Sequence, residues 1–221
     1  MFSVAVVIPV KDLHNAKQRL SSLLSPHERR GLFEAMVEDV LDAVVAAERV
    51  AEVILVTRDR QAKALAARWG ACVFEEPENR GHTPAVKFAA AELIARGVPA
   101  MLTLPGDVPL TQAAEIDELI ELHRPAPSIT ISPARDKMGS NAVLCTPPDA
   151  LPFRFGENSF FPHLDSARKV GIEPQVVSKP GIALDVDTPA DLALFASKVS
   201  ETRAYRFLLQ SGILKRCFSA D

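Results

Sequence analysis

The chain has 221 residues, is 48% hydrophobic and carries a formal net charge of -3. That length and apolar content suffice for one well-buried core and argue for a single domain. The mild negative charge, with acidic and basic residues interspersed, gives no footprint for nucleic acid or for an anionic membrane surface.

Taken in order, Ser3 to Val10 is an apolar run too short to span a bilayer and reads as the first strand. Pro26 to Ala47 is an amphipathic helix with Leu32, Met36, Val40, Leu41 and Val44 on its apolar stripe. Val53–Thr57 predicts a strand, Gln61–Trp69 a helix and Cys72–Glu75 a short strand. Thr83–Arg96 is alanine-rich and helical, stopped by Gly97. A buried strand, Ala100 to Leu104, and a helix over Ala113–His123 follow. Ser128–Ser132 and Ala142–Cys145 predict two strands joined by a loop, with an antiparallel excursion between them. Ser159–Lys169 reads as helix, Pro174–Val177 and Leu184–Val186 as short strands, and Thr188–Val199 as helix. This alternation predicts an α/β fold with a mostly parallel central sheet and helices on both faces. The tail, residues 200–221, mixes apolar and basic residues and packs either on its own domain or on a second copy, as in a homodimer. Cys72, Cys145 and Cys217 are odd in number and lack metal-like spacing. Cys72 and Cys145, in apolar runs, read as small core residues, and the chain as a protein of the reducing cytoplasm.

Five stretches could carry chemistry. Leu104-Pro105-Gly106-Asp107-Val108-Pro109 ends a buried strand, where an acid faces the ligand crevice of an open α/β sheet. Gly106 allows turn geometry closed to other residues, and Asp107 is either a functional carboxylate or the cap of the next helix. In Leu184-Asp185-Val186-Asp187 the two acids share one strand face, a repulsive arrangement unless a cation sits between them or they are simply solvated at a strand end. Thr188-Pro189-Ala190-Asp191 reads as a capping box, which accounts for Asp191 without a site role. Asp107, Asp185 and Asp187 together suit an all-oxygen Mg2+ site.

The loop from Val10 to Leu20 carries Lys11, Lys17 and Arg19 and contains no glycine; the first in the chain is Gly31. Neither a dinucleotide fingerprint nor a P-loop fits there. The three cations either offset a triphosphate or belong to a solvated basic loop. Gly156, Asn158 and Ser159 open a helix whose N–H groups suit a carboxylate or phosphate, unless Ser159 is simply a cap. His163 reads as a packing residue rather than a base, and Lys137-Met138-Gly139-Ser140-Asn141 is a polar loop before a strand.

In this order the pieces resemble the phospholactate guanylyltransferase family, within the molybdenum-cofactor-type nucleotidyltransferases. The likeness rests on Ile8-Pro9-Val10-Lys11 with Ala16 to Leu20, the Leu104–Pro109 stretch, Gly139-Ser140-Asn141, Phe155 to Phe160 with His163, and Leu184 to Leu192. It covers Ser3 to about Ser197 and leaves out the tail. The resemblance implies a single-domain Rossmann-like nucleotidyltransferase (GT-A-like) fold over residues 1–199. It implies transfer of GMP from GTP to the phosphate of 2-phospho-L-lactate, phosphoenolpyruvate or 3-phospho-D-glycerate, toward the deazaflavin coenzyme F-420. Asp107, Asp185 and Asp187 would hold Mg2+, Ser140, Gly156 and Ser159 would receive the acceptor carboxylate, and Lys11, Lys17 and Arg19 would attend the triphosphate, with Lys17 also catalytic. Two departures fall where acceptor or base selectivity would be set. Met138-Gly139-Ser140-Asn141 replaces Gly-Gly-Thr-Asn, and Gly81-His82-Thr83 replaces Gly-Leu-Asn. The rival readings are a same-fold enzyme with CTP or a molybdopterin- or sugar-type acceptor, and a nucleotide-binding regulator without turnover.

Overall fold

A computed structural model describes residues 3–13, 16–78, 80–156 and 158–218. His14, Asn15 and Glu157, which fall in the motif stretches above, lie outside the described residues. Seven strands form one sheet in the order β3-β2-β1-β4-β6-β5-β7. They are β1 (Val4–Pro9), β2 (Val50–Val56), β3 (Cys72–Phe74), β4 (Ala100–Thr103), β5 (Ser128–Pro133), β6 (Ser140–Thr146) and β7 (Gln175–Val176). Only β6 runs antiparallel to its neighbours, β4 and β5.

Every residue of β1 is buried, as expected of a central parallel strand covered on both faces. Its alternation divides the core. Val4, Val6 and Ile8 pack with Val37, Val40 and Leu41 of α1 (Pro26–Ala46), Leu65 of α2 (Arg60–Arg68) and Ile116 of α4 (Ala113–Leu122). Ala5 and Val7 face Val86 and Leu93 of α3 (His82–Ala95) and Phe160 of α5 (Phe160–Lys169). The chain leaves β1 for β2 on one side, and β4 pairs β1 on the other. The carboxyl ends of β1 and β4 therefore flank a topological switch point, the usual crevice of an open α/β sheet.

Local signals fixed several boundaries. Ser25 and Glu28 form a reciprocal capping box before Pro26 at the start of α1, and Thr188 and Asp191 form another at α6 (Pro189–Ala196). The expected strand at Leu184–Val186 is not one. Val186 N donates to the carbonyl of Asp107 (3.0 Å), a turn residue, and the segment pairs with no strand of the sheet. The in-out alternation survives, with Leu184 and Val186 buried in a third cluster. Cys72 is exposed on the edge strand β3 rather than in the core, whereas Cys145 is buried.

The tail forms α7 (Arg203–Gln210) and α8 (Ile213–Cys217). Ala204, Tyr205, Leu208 and Ile213 join Leu32 and Met36 of α1 with Leu20, Leu184 and Val186. The tail thus packs on the chain's own body, bracing both segments that carry site residues. No described helix is long and apolar enough to cross a membrane.

Candidate active site

Beyond Pro9 the chain turns into the loop bearing Lys17, whose backbone is left-handed (φ 54°). A non-glycine residue there is strained, and such strain persists only where surrounding contacts hold it. Those contacts are present. Lys17 Nζ lies 2.5 Å from Asp107 Oδ2 and 2.5 Å from Asp187 Oδ1, and sits over the Phe33 ring at 5.5 Å. The lysine side chain is only 5% exposed.

Asp107 reaches this point from the turn after β4. It does not cap α4, which begins at Ala113 with its own box made by Gln112 and Glu115. Gly106 is needed for close packing rather than for special turn geometry, since a Cβ there would lie 2.9 Å from Val37 of α1. Asp187 comes from the segment before α6. Asp185 lies beside it, its Oδ1 held by Asn141 Nδ2 at 3.0 Å.

Burial opposes the Lys17 charge, but the Asp107 and Asp187 carboxylates outweigh it and hold the ammonium above its ordinary pKa. Burial raises Asp187 too, yet Lys17 prevails and keeps it below the usual range. Asp107 is pushed up by burial, against Lys17 and with the help of Asp187. Asp185 is likewise raised, first by burial and also by the Asp107 charge. Three carboxyl groups gather about one ammonium, and one buried oxygen, Asp107 Oδ1, has no hydrogen-bond partner. That hard, all-oxygen donor set fits a divalent cation. Yet among the described residues no three acidic, histidine or cysteine side chains already converge as metal ligands. The sequence led to a metal ion among the aspartates and to Lys17 on the triphosphate. In the structure the Lys17 ammonium lies between Asp107 and Asp187.

Two cavities meet at this cluster. One, of about 500 Å³, is lined by Lys11, Ala16, Lys17, Phe33 and Gly106. The other, of about 530 Å³, is lined by Arg19, Arg135, Met138, Ser140, Asn141, Gly156 and Ser159, among others. His82, Pro105, Asp107 and Asp187 line both. Lys11 is pulled down by burial, with Glu76 opposing. Met138, 47% exposed, stands on the wall of the second cavity. Ser159 holds the N-cap position of α5 without a capping side-chain bond. Its Oγ accepts the Ser140 N–H at 3.0 Å.

Sequence reasoning missed Asn141 as the anchor of Asp185, Phe33 beneath Lys17 and His82 on the shared wall. The Asn141–Asp185 bond joins residues 44 apart, beyond any local pattern. His82 was visible only as a departure from the family's motif.

A family model described as "Guanylyl transferase CofC like" matches residues 4–217. It includes the tail, so the likeness does not stop near Ser197. The chain is 37% identical over 191 residues to a phosphoenolpyruvate guanylyltransferase of Rubrobacter xylanophilus, covering 86% of this chain and 92% of that one. It is 35% identical to a 3-phospho-D-glycerate guanylyltransferase of Colwellia psychrerythraea (86% and 90% covered). It is 33% identical to a 2-phospho-L-lactate guanylyltransferase of Methanothermobacter thermautotrophicus (91% and 88%). Among solved structures, a 4-diphosphocytidyl-2C-methyl-D-erythritol synthase superposes with a TM-score of 0.62 at 14% identity, covering 88% of this chain and 97% of that one, a likeness of fold alone. With an α/β nucleotidyltransferase fold and a match spanning nearly its whole length, the chain belongs to the CofC-like guanylyltransferase family.

Proposed function

We propose that this guanylyltransferase moves GMP from GTP onto the phosphate of a small phosphorylated carboxylic acid, releasing pyrophosphate, in coenzyme F-420 biosynthesis. The acid is one of the three named for its relatives: phosphoenolpyruvate, 3-phospho-D-glycerate or 2-phospho-L-lactate. The observation that carries this reading is the pair of cavities sharing Asp107 and Asp187 as their common wall. Ligands in the two cavities would meet at that wall, which His82 and Pro105 complete.

In this reading the nucleotide takes the cavity containing Lys11 and Lys17, and the acceptor takes the one containing Ser140, Gly156 and Ser159. A phosphate monoester is already anionic at neutral pH. Its oxygen forms a bond to the α-phosphorus of GTP while the bond from that phosphorus to the α–β bridging oxygen breaks, and pyrophosphate leaves with the electron pair. No proton has to be removed from the nucleophile, which suits a site of carboxylates and cations. The chain's contribution is positioning and charge neutralisation. Lys11 and Arg19 offset phosphate charge, and Asn141 holds Asp185 on the acceptor-side cavity. Asp107, Asp185 and Asp187 would hold Mg2+, which supplies Lewis-acid neutralisation of two anionic reactants. Lys17, which lines the nucleotide-side cavity, would neutralise nucleotide phosphates there. Pyrophosphate release, measured for GTP, ATP and CTP against each acid, tests the proposal. Release with GTP and one of the acids is expected, and release with none of them would overturn it.

A further inference from the structure

Behind the acceptor-side cavity lies a histidine the mechanism has not used. His163, on α5, is fully buried. Its Nε2 is 3.0 Å from the backbone N–H of Arg154. Its Nδ1 is 2.9 Å from Ser140 Oγ. A backbone amide can only donate, so Nε2 must be the bare, accepting nitrogen. The ring proton therefore sits on Nδ1 and is donated to Ser140. Burial pushes the imidazole down to about 4, which keeps it neutral near pH 7. Phe155 packs edge-on against the ring with centroids 4.9 Å apart, and Thr83 pins Phe155 through both backbone groups. The ring is thus held in both orientation and tautomer.

We propose that His163 is a positioning residue that sets acceptor selectivity: its Nδ1–H occupies one lone pair of Ser140 Oγ and turns the Ser140 hydroxyl proton toward the cavity. Ser159 is arranged alike. Its Oγ receives the Ser140 N–H from behind, which leaves its own proton free to face the cavity it lines. Two hydroxyls with their oxygens engaged at the back form a donor pair. Such a pair complements a carboxylate and gains more from that charged acceptor than from an alcohol or amide. With the opposite tautomer, Ser140 would donate to the ring and offer the ligand only a lone pair. The inference rests on the reading above, that Ser140 and Ser159 receive the acceptor's carboxylate.

The test combines three variants with one spectrum. In wild-type protein labelled with 15N-histidine, long-range 1H–15N correlations should show the Nδ1–H tautomer for His163; the Nε2–H tautomer would overturn the proposal, and this readout does not depend on any variant folding. His163→Leu should raise the KM of the accepted acid at least about tenfold, the loss of a hydrogen bond to a charged group, with the KM for GTP within about twofold. It should also erode, by a similar factor, the preference for that acid over its counterpart with an alcohol in place of the carboxylate. His163→Asn, whose amide can donate from near the Nδ1 position, should recover most of both. A general loss of packing would lower the active fraction while leaving the KM values and the preference alone, and that result also refutes the role. Ser140→Ala separates the two layers of the argument. An unchanged acceptor KM in Ser140→Ala overturns the carboxylate reading itself. A raised KM in Ser140→Ala with an unchanged one in His163→Leu overturns only the role of His163.

Discussion

Replacing Lys17 by methionine, which keeps most of the side-chain bulk and removes the charge, probes the centre of the site. The two arms of Lys17 are unequal. Asp107 is 18% exposed in its side chain and Asp187 45%. Breaking a buried ion pair by removing one partner costs about 3–5 kcal/mol, whereas an exposed pair is worth about 0–1 kcal/mol. The Asp107 arm therefore dominates. Because Asp107 already has a raised pKa, it can take up a proton when the ammonium is gone, which places the loss at the lower end, about 3 kcal/mol. For a chain of this size that is a fall in Tm of roughly 6–12 °C, measured by thermal unfolding in EDTA. The double variant Lys17→Met with Asp107→Asn should recover part of the loss, since the stranded charge is removed with its partner. Added Mg2+ should raise the Tm of Lys17→Met more than that of wild type, because in the wild-type protein the ammonium already stands between Asp107 and Asp187. A Lys17→Met protein in EDTA within about 1 kcal/mol of wild type would refute the reasoning, for then the three-way contact contributes no more than a surface pair.

Asp107→Asn should fold normally, since the amide keeps the shape and an acceptor for Lys17, but lose at least ~100-fold in kcat by pyrophosphate release; near-normal turnover would remove Asp107 from the chemistry. Gly181→Ala should cost more than the usual 1–3 kcal/mol of an overpacked position, because a Cβ there would lie 2.2 Å from the Leu110 carbonyl oxygen. Chemical denaturation reports the loss, and the displaced segment carries Asp185 and Asp187, so kcat should fall with it. Asp39 gives a pH signature. It accepts the Arg203 and Ala204 N–H groups at the start of α7 (2.7 and 2.9 Å), and burial pushes its carboxyl up to about 6 despite them. Between its unfolded value near ~3.9 and about 6, the folded state binds the proton more tightly. Its contribution to stability therefore falls as pH rises through that window and then levels off. The stability of wild type relative to Asp39→Asn should shrink from pH 4 to 6, and a difference that grows would contradict the shift.

What the sequence made legible follows from the range of the forces involved. Buried parallel strands declare themselves as apolar runs, so β1 and β4 were readable, and with them the carboxyl ends where Asp107 must lie. Capping boxes are four-residue devices, which is why Thr188 with Asp191 could be read directly, and Ser25 with Glu28 at the start of α1 has the same form. The alternation Leu184-Asp185-Val186-Asp187 gave the right faces but the wrong element, because alternation reports burial and says nothing of which backbone partners are at hand. Here the Val186 N–H goes to the carbonyl of Asp107, a turn residue, rather than to a neighbouring strand. Lys17 was the hardest case. The sequence offers three cations in one loop, and nothing local distinguishes the one whose left-handed backbone sends it 90 residues away to Asp107 and 170 to Asp187. Carboxylates brought together from the turn after β4 and the segment before α6 repel one another and need a cation between them. A lysine on a tethered loop meets that need without closing the site to phosphates. The same tether explains why the tail packs where it does, with Tyr205, Leu208 and Ile213 against Leu20 and Val186. It backs the loop bearing Lys17 and the segment bearing Asp187 at once, and so sets the spacing between the ammonium and its carboxylate.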